Sequence, residues 1–265
     1  MIKVGFVGTG NMGSALAKAV SLCDNTSVYL YDKDTSRSAA LASDIGAVAS
    51  SLSEIGNECD FIFLGVKPNL ISDVCCELKG AADGRVGAVI VSMAAGVELS
   101  SLDRYIGDGV PVIRIMPNTP VSVGRGMIEW CANNYVSEES SQIFVGIMKH
   151  AGTLDRIPEG LIDAASAIAG CGPAFAFMFI EALADGGVKC GLPRDKALMY
   201  AEQTLLGAAE LAKSSGRHPE ELKDAVCSPG GSTIAGVAAL ESGAFRSAAI
   251  NAVVSAYEKT RELGK

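Results

Sequence analysis

A glycine spacing set directly after a strand-like run constrains this chain more than any other feature. Residues 3–7 form a β-rich run that is apolar after Lys3. Gly8-Thr9-Gly10-Asn11-Met12-Gly13 follows at once and opens an amphipathic stretch over 12–22. In that strand-to-helix setting, G-x-G-x-x-G is the fingerprint of a dinucleotide-binding α/β unit. Gly8 permits the tight turn, Gly10 lets backbone approach a pyrophosphate, and Gly13 lets the helix pack closely. Free N–H groups at the helix start, where Asn11 and Met12 stand, then hold the anion.

Four more apolar runs, 28–31, 61–66, 88–92 and 112–115, alternate with helical stretches such as 36–45. Strands that are apolar throughout and joined by helices predict a parallel sheet covered on both faces. Beyond about residue 157 the Val and Ile runs give way to long Ala, Leu and Met stretches, with Pro173, Pro193 and Pro219 near predicted helix starts and Gly191 past an end. Helices are expected over 173–189, 193–215, a short stretch from 219, 232–241 and 245–263. The fold class is therefore α/β. A Rossmann-type doubly wound sheet occupies residues 1–157 and an all-α domain 158–265, a division that the length of 265 residues suits.

Asp32 ends the second strand, 19 residues past Gly13, where an acid accepts hydrogen bonds from a ribose 2′-hydroxyl and repels a 2′-phosphate. Lys33 and Arg37 follow, and either reaches a 2′-phosphate if Asp32 points away, so NADPH and NADH both stay open; a solvated turn of mixed charge also fits. Val66-Lys67-Pro68 closes another strand region, at the sheet edge where such folds place their ligand crevice, although a solvent-facing loop lysine fits equally. Ala94-Ala95-Gly96 and Pro117-Asn118-Thr119-Pro120 also follow strands, and their small or backbone-exposing residues let a nicotinamide ring lie close.

Composition narrows the partners. The 30 acidic against 22 basic side chains give a net charge of −8, which argues against nucleic acid and anionic lipid and for a small-molecule substrate. The start has no signal-peptide character. The apolar run 174–180 falls short of the roughly 18 residues that cross a bilayer, so no membrane span is expected. Eight scattered cysteines read as reduced, mostly structural thiols of a cytoplasmic protein, and two histidines without spaced partners make a metal site unexpected.

The second half lacks the acid–base residues of a carbonyl reductase. No Tyr-x-x-x-Lys pair occurs in that half, and the first lysine after Pro173 is Lys189, a helix length away. A protonated imine asks for less, because hydride addition neutralises its charge without a strong general acid. Ser228-Pro229-Gly230-Gly231-Ser232-Thr233 joins two predicted helices, and its free N–H groups suit a carboxylate, with the Thr233 hydroxyl near a substrate nitrogen. A plain helix cap by Ser232 or Thr233 fits the same residues.

The run 226–234, continued by Leu240-Glu241, resembles the signature of the pyrroline-5-carboxylate reductases. The glycine fingerprint, Val66-Lys67-Pro68, residues 94–97, 116–120, 184–188 and 222–224 resemble that family in order and spacing. The resemblance implies reduction of 1-pyrroline-5-carboxylate to L-proline with NADPH or NADH. It also implies a helical domain that dimerises, an active site at the homodimer interface, and further assembly, commonly to decamers. On the family pattern, residues 228–233 hold the substrate carboxylate through backbone N–H groups and Thr233 contacts the ring nitrogen. Ala169, Cys171 and Phe175 depart from the Ser, Ser and Tyr of many members, so hydrogen bonds from those positions are not carried over. Two other readings stay open on the residues alone: a reductase of another imine or 2-oxo acid, and an NAD(P)H-binding regulator without turnover.

Overall fold

The computed structural model describes residues 1–81 and 87–263, and among them eight strands form one sheet. They are β1 (Ile2–Val7), β2 (Thr26–Tyr31), β3 (Val48–Ala49), β4 (Phe61–Leu64), β5 (Val89–Ser92), β6 (Val112–Pro117), β7 (Gly126–Ala132) and β8 (Gly152–Arg156). Their order is β3-β2-β1-β4-β5-β6-β7-β8, with β6 and β7 antiparallel and every other pairing parallel. All five expected strands are present. The order reverses between β1 and β4, which opens a crevice beyond their carboxyl ends.

Backbone contacts divide the chain into two compact units, Met1–Cys171 with Ala256–Lys265, and Gly172–Ser255. The first holds the sheet with α1 (Asn11–Ser21), α2 (Thr35–Ile45), α3 (Leu52–Glu58), α4 (Ile71–Ala81), α5 (Leu99–Ile106), α6 (Glu138–Ile147) and α7 (Ile162–Ala169). Local chemistry sets their ends. Asp34 caps α2 through the Ser36 N–H and Gly46 closes it at φ +67°, while Ser51 and Glu54 form a capping box on α3. On one face of the sheet Phe6, Phe63, Phe144 and Trp130 pack in a row, with ring centroids 4.6, 6.5 and 5.2 Å apart. Ile62, Leu64, Ile90, Ile71 and Leu102 fill the other.

The strands β3, β7 and β8 escape a reading by apolar runs. The first is two residues long, and the others carry Glu129, Asp155 and Arg156. Glu129 is 3% exposed, and its Oε2 has no hydrogen-bond partner among the described residues. Burial, opposed by its own backbone N–H and joined by the charge of Asp155 opposite it on β8, pushes this carboxyl above the usual range. An acid raised in the folded state costs nothing at pH values below its unfolded pKa; the cost builds as pH rises from there towards the folded value and is complete above it. Glu129→Met is therefore expected to stabilise the protein by about 1–2 kcal/mol at pH 7. Thermal melts should show the gain vanishing near pH 4; a gain equal at both pH values would refute the ionisation argument.

The second unit contains α8 (Gly172–Lys189), α9 (Arg194–Ser215), α10 (Pro219–Ala225), α11 (Ser232–Ser242) and most of α12 (Phe245–Leu263). Small residues bring α8 and α9 together: Ala184, Ala197 and Ala201 are buried, and a Cβ on Gly187 would lie 3.1 Å from that of Ala197. His218 caps α10 by accepting the Glu220 N–H at 3.2 Å. Larger apolar side chains face outward, with Phe177 63%, Met178 69% and Ile250 62% exposed. Residues 159–189 are long and apolar enough, by length and composition, to cross a bilayer, but a turn at Gly170 and Cys171 divides them into α7 and α8.

Candidate functional site

The glycine turn lies where β1 meets α1. Gly8 has φ +97°, and a Cβ there would sit 2.8 Å from the Gly65 carbonyl; one on Gly13 would sit 2.2 Å from the Gly8 oxygen. Gly65, which follows β4 and was not singled out in the sequence, completes this junction, since its own Cβ would lie 2.7 Å from the same oxygen. Gly10 is the opposite case. It occupies the N-cap of α1, and a Cβ there would meet nothing within 4 Å. The turn is thus closed against protein on the Gly8 and Gly13 side and open at Gly10, where a phosphate approaches a helix start.

Two cavities of the first unit gather the remaining candidates. Gly8, Gly10, Asp32, Lys33, Val66 and Lys67 line one of about 370 Å³, with Tyr31, Leu70 and Val74 as its apolar wall. Met12, Pro68, Ala95, Gly96 and Asn118 line the other, of about 590 Å³, together with Met116, Ser166, Gly170 and Cys171. Asn11 stands at a third opening beside Thr9 and Ser14. Ala94 is buried behind them, its N–H directed at the Ser92 hydroxyl. A larger groove of about 800 Å³, past Lys18, Asp44, Arg125 and His150, meets none of the glycine turn and is not the candidate site.

Two side chains do more structural work than the sequence revealed. The Asn118 amide donates to the Ala169 carbonyl and accepts the Met127 N–H, both at 2.9 Å, so it ties β7 to the end of α7 while it forms cavity wall. The Asp32 carboxylate turns toward the glycine turn: Oδ2 accepts the Thr9 N–H at 2.7 Å and the Thr9 hydroxyl at 2.9 Å, and Oδ1 accepts the Asp34 N–H at 3.0 Å. Burial opposes its charge, but these donors and the nearby Arg37 hold the carboxyl below the usual range. Thr9 occupies a variable position of the fingerprint, so its partnership with Asp32 carries no sequence signal.

Ser228, Gly230, Gly231, Ser232 and Thr233 lie together at the start of α11 in the second unit. Gly230 takes φ +68°, and the Gly231 N–H donates to the Ser228 carbonyl at 3.0 Å. Gly231 itself is the N-cap and no side chain caps the helix, so neither Ser232 nor Thr233 is the cap. Such a start keeps its first-turn N–H groups available to an anion. Ser228, Ser232 and Thr233 are exposed.

The thiols separate by burial. Cys59 and Cys75 are pushed up to about 12 and Cys131 to about 11, chiefly by burial, whereas Cys171 and Cys227 are half-buried. All eight cysteines are free.

Known proteins match both halves. Residues 159–263 match the family described as pyrroline-5-carboxylate reductase dimerisation, and residues 3–96 match NADP oxidoreductase, coenzyme F420-dependent. The pyrroline-5-carboxylate reductase of Pisum sativum is 40% identical over 98% of this chain and 95% of its own length. That of Escherichia coli is 37% identical over 99% and 98%. The solved structure of Plasmodium falciparum pyrroline carboxylate reductase with NADP bound is 33% identical, with a TM-score of 0.86 over 100% of this chain and 98% of that one. By full-length similarity and by the order of its two halves, the chain belongs to the pyrroline-5-carboxylate reductase family.

Proposed function

We propose that the chain is a cytoplasmic pyrroline-5-carboxylate reductase that converts 1-pyrroline-5-carboxylate to L-proline with NADPH or NADH. Residues 1–157 serve as the cofactor domain and 158–265 as the substrate and dimerisation domain, with the active site at the homodimer interface. The observation that carries this reading is full-length likeness to such reductases combined with an uncapped, glycine-led start of α11. The second subunit covers the apolar faces of residues 159–189, which supports a protein interface there in place of a membrane. Eight free thiols suit a reducing compartment.

In this reading Gly8, Gly10 and Gly13 shape the pyrophosphate seat, and the N–H groups of Asn11 and Met12 hold its charge. Val66, Lys67, Pro68, Ala94, Ala95, Gly96 and Asn118 border the remainder of the dinucleotide. The open space at Gly10 fits the group, since a Cβ there would fill the approach that a phosphate needs. When bound, the reduced nicotinamide supplies the hydride. The chain's contribution is orientation: the backbone N–H groups of the 228–233 loop that stay free among the described residues, those of Ser228, Gly230, Ser232 and Thr233, grip the substrate carboxylate, and the Thr233 hydroxyl holds the ring nitrogen. No general acid is required, because the protonated imine already carries the charge that the reaction removes.

Loss of reduced-nicotinamide absorbance with 1-pyrroline-5-carboxylate, accompanied by proline, tests the reaction. Thr233→Ala is expected to lower kcat/KM by about tenfold or more, the worth of a hydrogen bond to a charged group, while cofactor affinity stays within twofold. Wild-type turnover in the variant would remove Thr233 from the mechanism. Cofactor binding without turnover of the imine would overturn the substrate assignment.

A further inference from the structure

An acid at the end of β2 ordinarily reads the adenosine ribose and keeps a 2′-phosphate out. That role requires a carboxylate free to face the ribose. A carboxylate offers about four lone-pair positions, and Asp32 spends three of them on the Thr9 N–H, the Thr9 hydroxyl and the Asp34 N–H. One acceptor position remains, too few to grip two neighbouring hydroxyls.

Two cations line the same cavity as Asp32. Lys33 and Arg37 are exposed and line the same cavity as Gly8 and Gly10, and neither side chain makes a hydrogen bond or ion pair among the described residues. Arg37 occupies the third residue of α2, where the helix dipole disfavours a cation and the nearby Asp32 and Asp34 carboxylates offset part of that cost. A guanidinium there presents a planar fork suited to phosphate oxygens, and Lys33 adds a point charge beside it. Glu77 of α4 also lines this cavity.

We infer that Asp32 is a positioning residue that latches the glycine turn, and that Lys33 and Arg37 form a seat for a 2′-phosphate. The chain therefore takes NADPH in preference to NADH despite the acid at the end of β2. This rests on the dinucleotide site proposed above and goes further by assigning which side chains read the ribose.

Calorimetric titration tests it without turnover, using NADPH, NADH and the fragments 2′,5′-ADP and 5′-AMP. The wild type should bind NADPH about tenfold or more tighter than NADH, and 2′,5′-ADP tighter than 5′-AMP by a similar factor. In K33A/R37A that preference should collapse to about threefold or less while NADH affinity holds. Asp32→Asn should weaken both dinucleotides together, leaving their ratio within about twofold, because it loosens the turn and not the phosphate seat. Thr9→Val, which removes only the hydroxyl donor and keeps the backbone latch, should move both affinities in the same direction by a smaller factor. A wild type that prefers NADH, or an Asp32→Asn protein whose NADPH preference rises about tenfold, would overturn the inference while leaving the cofactor site intact. Binding of neither dinucleotide would instead refute the site itself, and the inference with it.

Discussion

Gly13→Ala is expected to lower the affinity for NADPH and NADH alike by about a hundredfold or more, equivalent to about 2.7 kcal/mol. The added Cβ would sit 2.2 Å from the Gly8 oxygen, inside any real contact distance, and that neighbour is backbone with no rotamer to change. Gly8 cannot yield easily. It is held at φ +97°, with the space for its own Cβ occupied by the Gly65 carbonyl, so the turn and α1 must separate. Separation misdirects the N–H groups at the helix start, and overpacking of this kind costs folding about 1–3 kcal/mol as well. Gly10→Ala is the informative contrast. Its φ of −65° suits any residue and its Cβ meets no protein atom, so the melting temperature should be unchanged while cofactor affinity falls. Denaturation together with titration separates the two: Gly13→Ala loses stability and affinity, Gly10→Ala affinity alone. Full cofactor affinity in Gly10→Ala would mean that no phosphate approaches at that point.

How far the sequence reaches into this molecule depends on how far apart the interacting residues lie. The glycine turn is legible because its requirements are local: strand, turn and helix follow within a few residues, and each glycine has a steric reason that spacing alone conveys. The buried strands β1, β4 and β5 are legible because both faces are covered and, apart from Lys3 and Ser92, no position is polar. By contrast, β7 and β8 carry polar and charged residues, and only pairing in register with β6 makes strands of them. The position of Asp32 is legible too, but its orientation is not. The choice between reading a ribose and holding the turn depends on Thr9, 23 residues away, donating its N–H and its hydroxyl to Oδ2 in three dimensions. Asn118 shows the same limit, since its amide is committed to Ala169, 51 residues further on. Spacing located these side chains; their partners decide what they do.

The buried guanidinium of Arg114 shows how partnership also fixes stability, and here the order of effects is the prediction. Arg114 lies on β6 in the middle of the sheet with its side chain 4% exposed; Nη1 reaches Glu159 at 3.1 Å and Nη2 reaches Asp163 at 3.3 Å. The two acids precede and open α7, and Glu159 also accepts the Leu99 N–H at 2.7 Å, so one guanidinium fastens the start of the helical half to the sheet. The partners are unequal in burial: the carboxylates are 32% and 35% exposed and regain water if released, whereas the guanidinium has none to regain. Glu159→Gln/Asp163→Asn, which leaves a buried cation uncompensated, is therefore expected to cost about 3–5 kcal/mol. Arg114→Met fills much of the same volume, removes the buried charge and lets both acids hydrate, so it should cost less, about 1–2 kcal/mol. Either single acid variant should fall between wild type and the double variant, because the remaining carboxylate still faces the guanidinium. Urea denaturation of the wild type and the four variants at neutral pH gives the order directly. If Arg114→Met proved the most damaging, the stabilising role would belong to the hydrogen bonds that organise α7, and not to compensation of the buried charge.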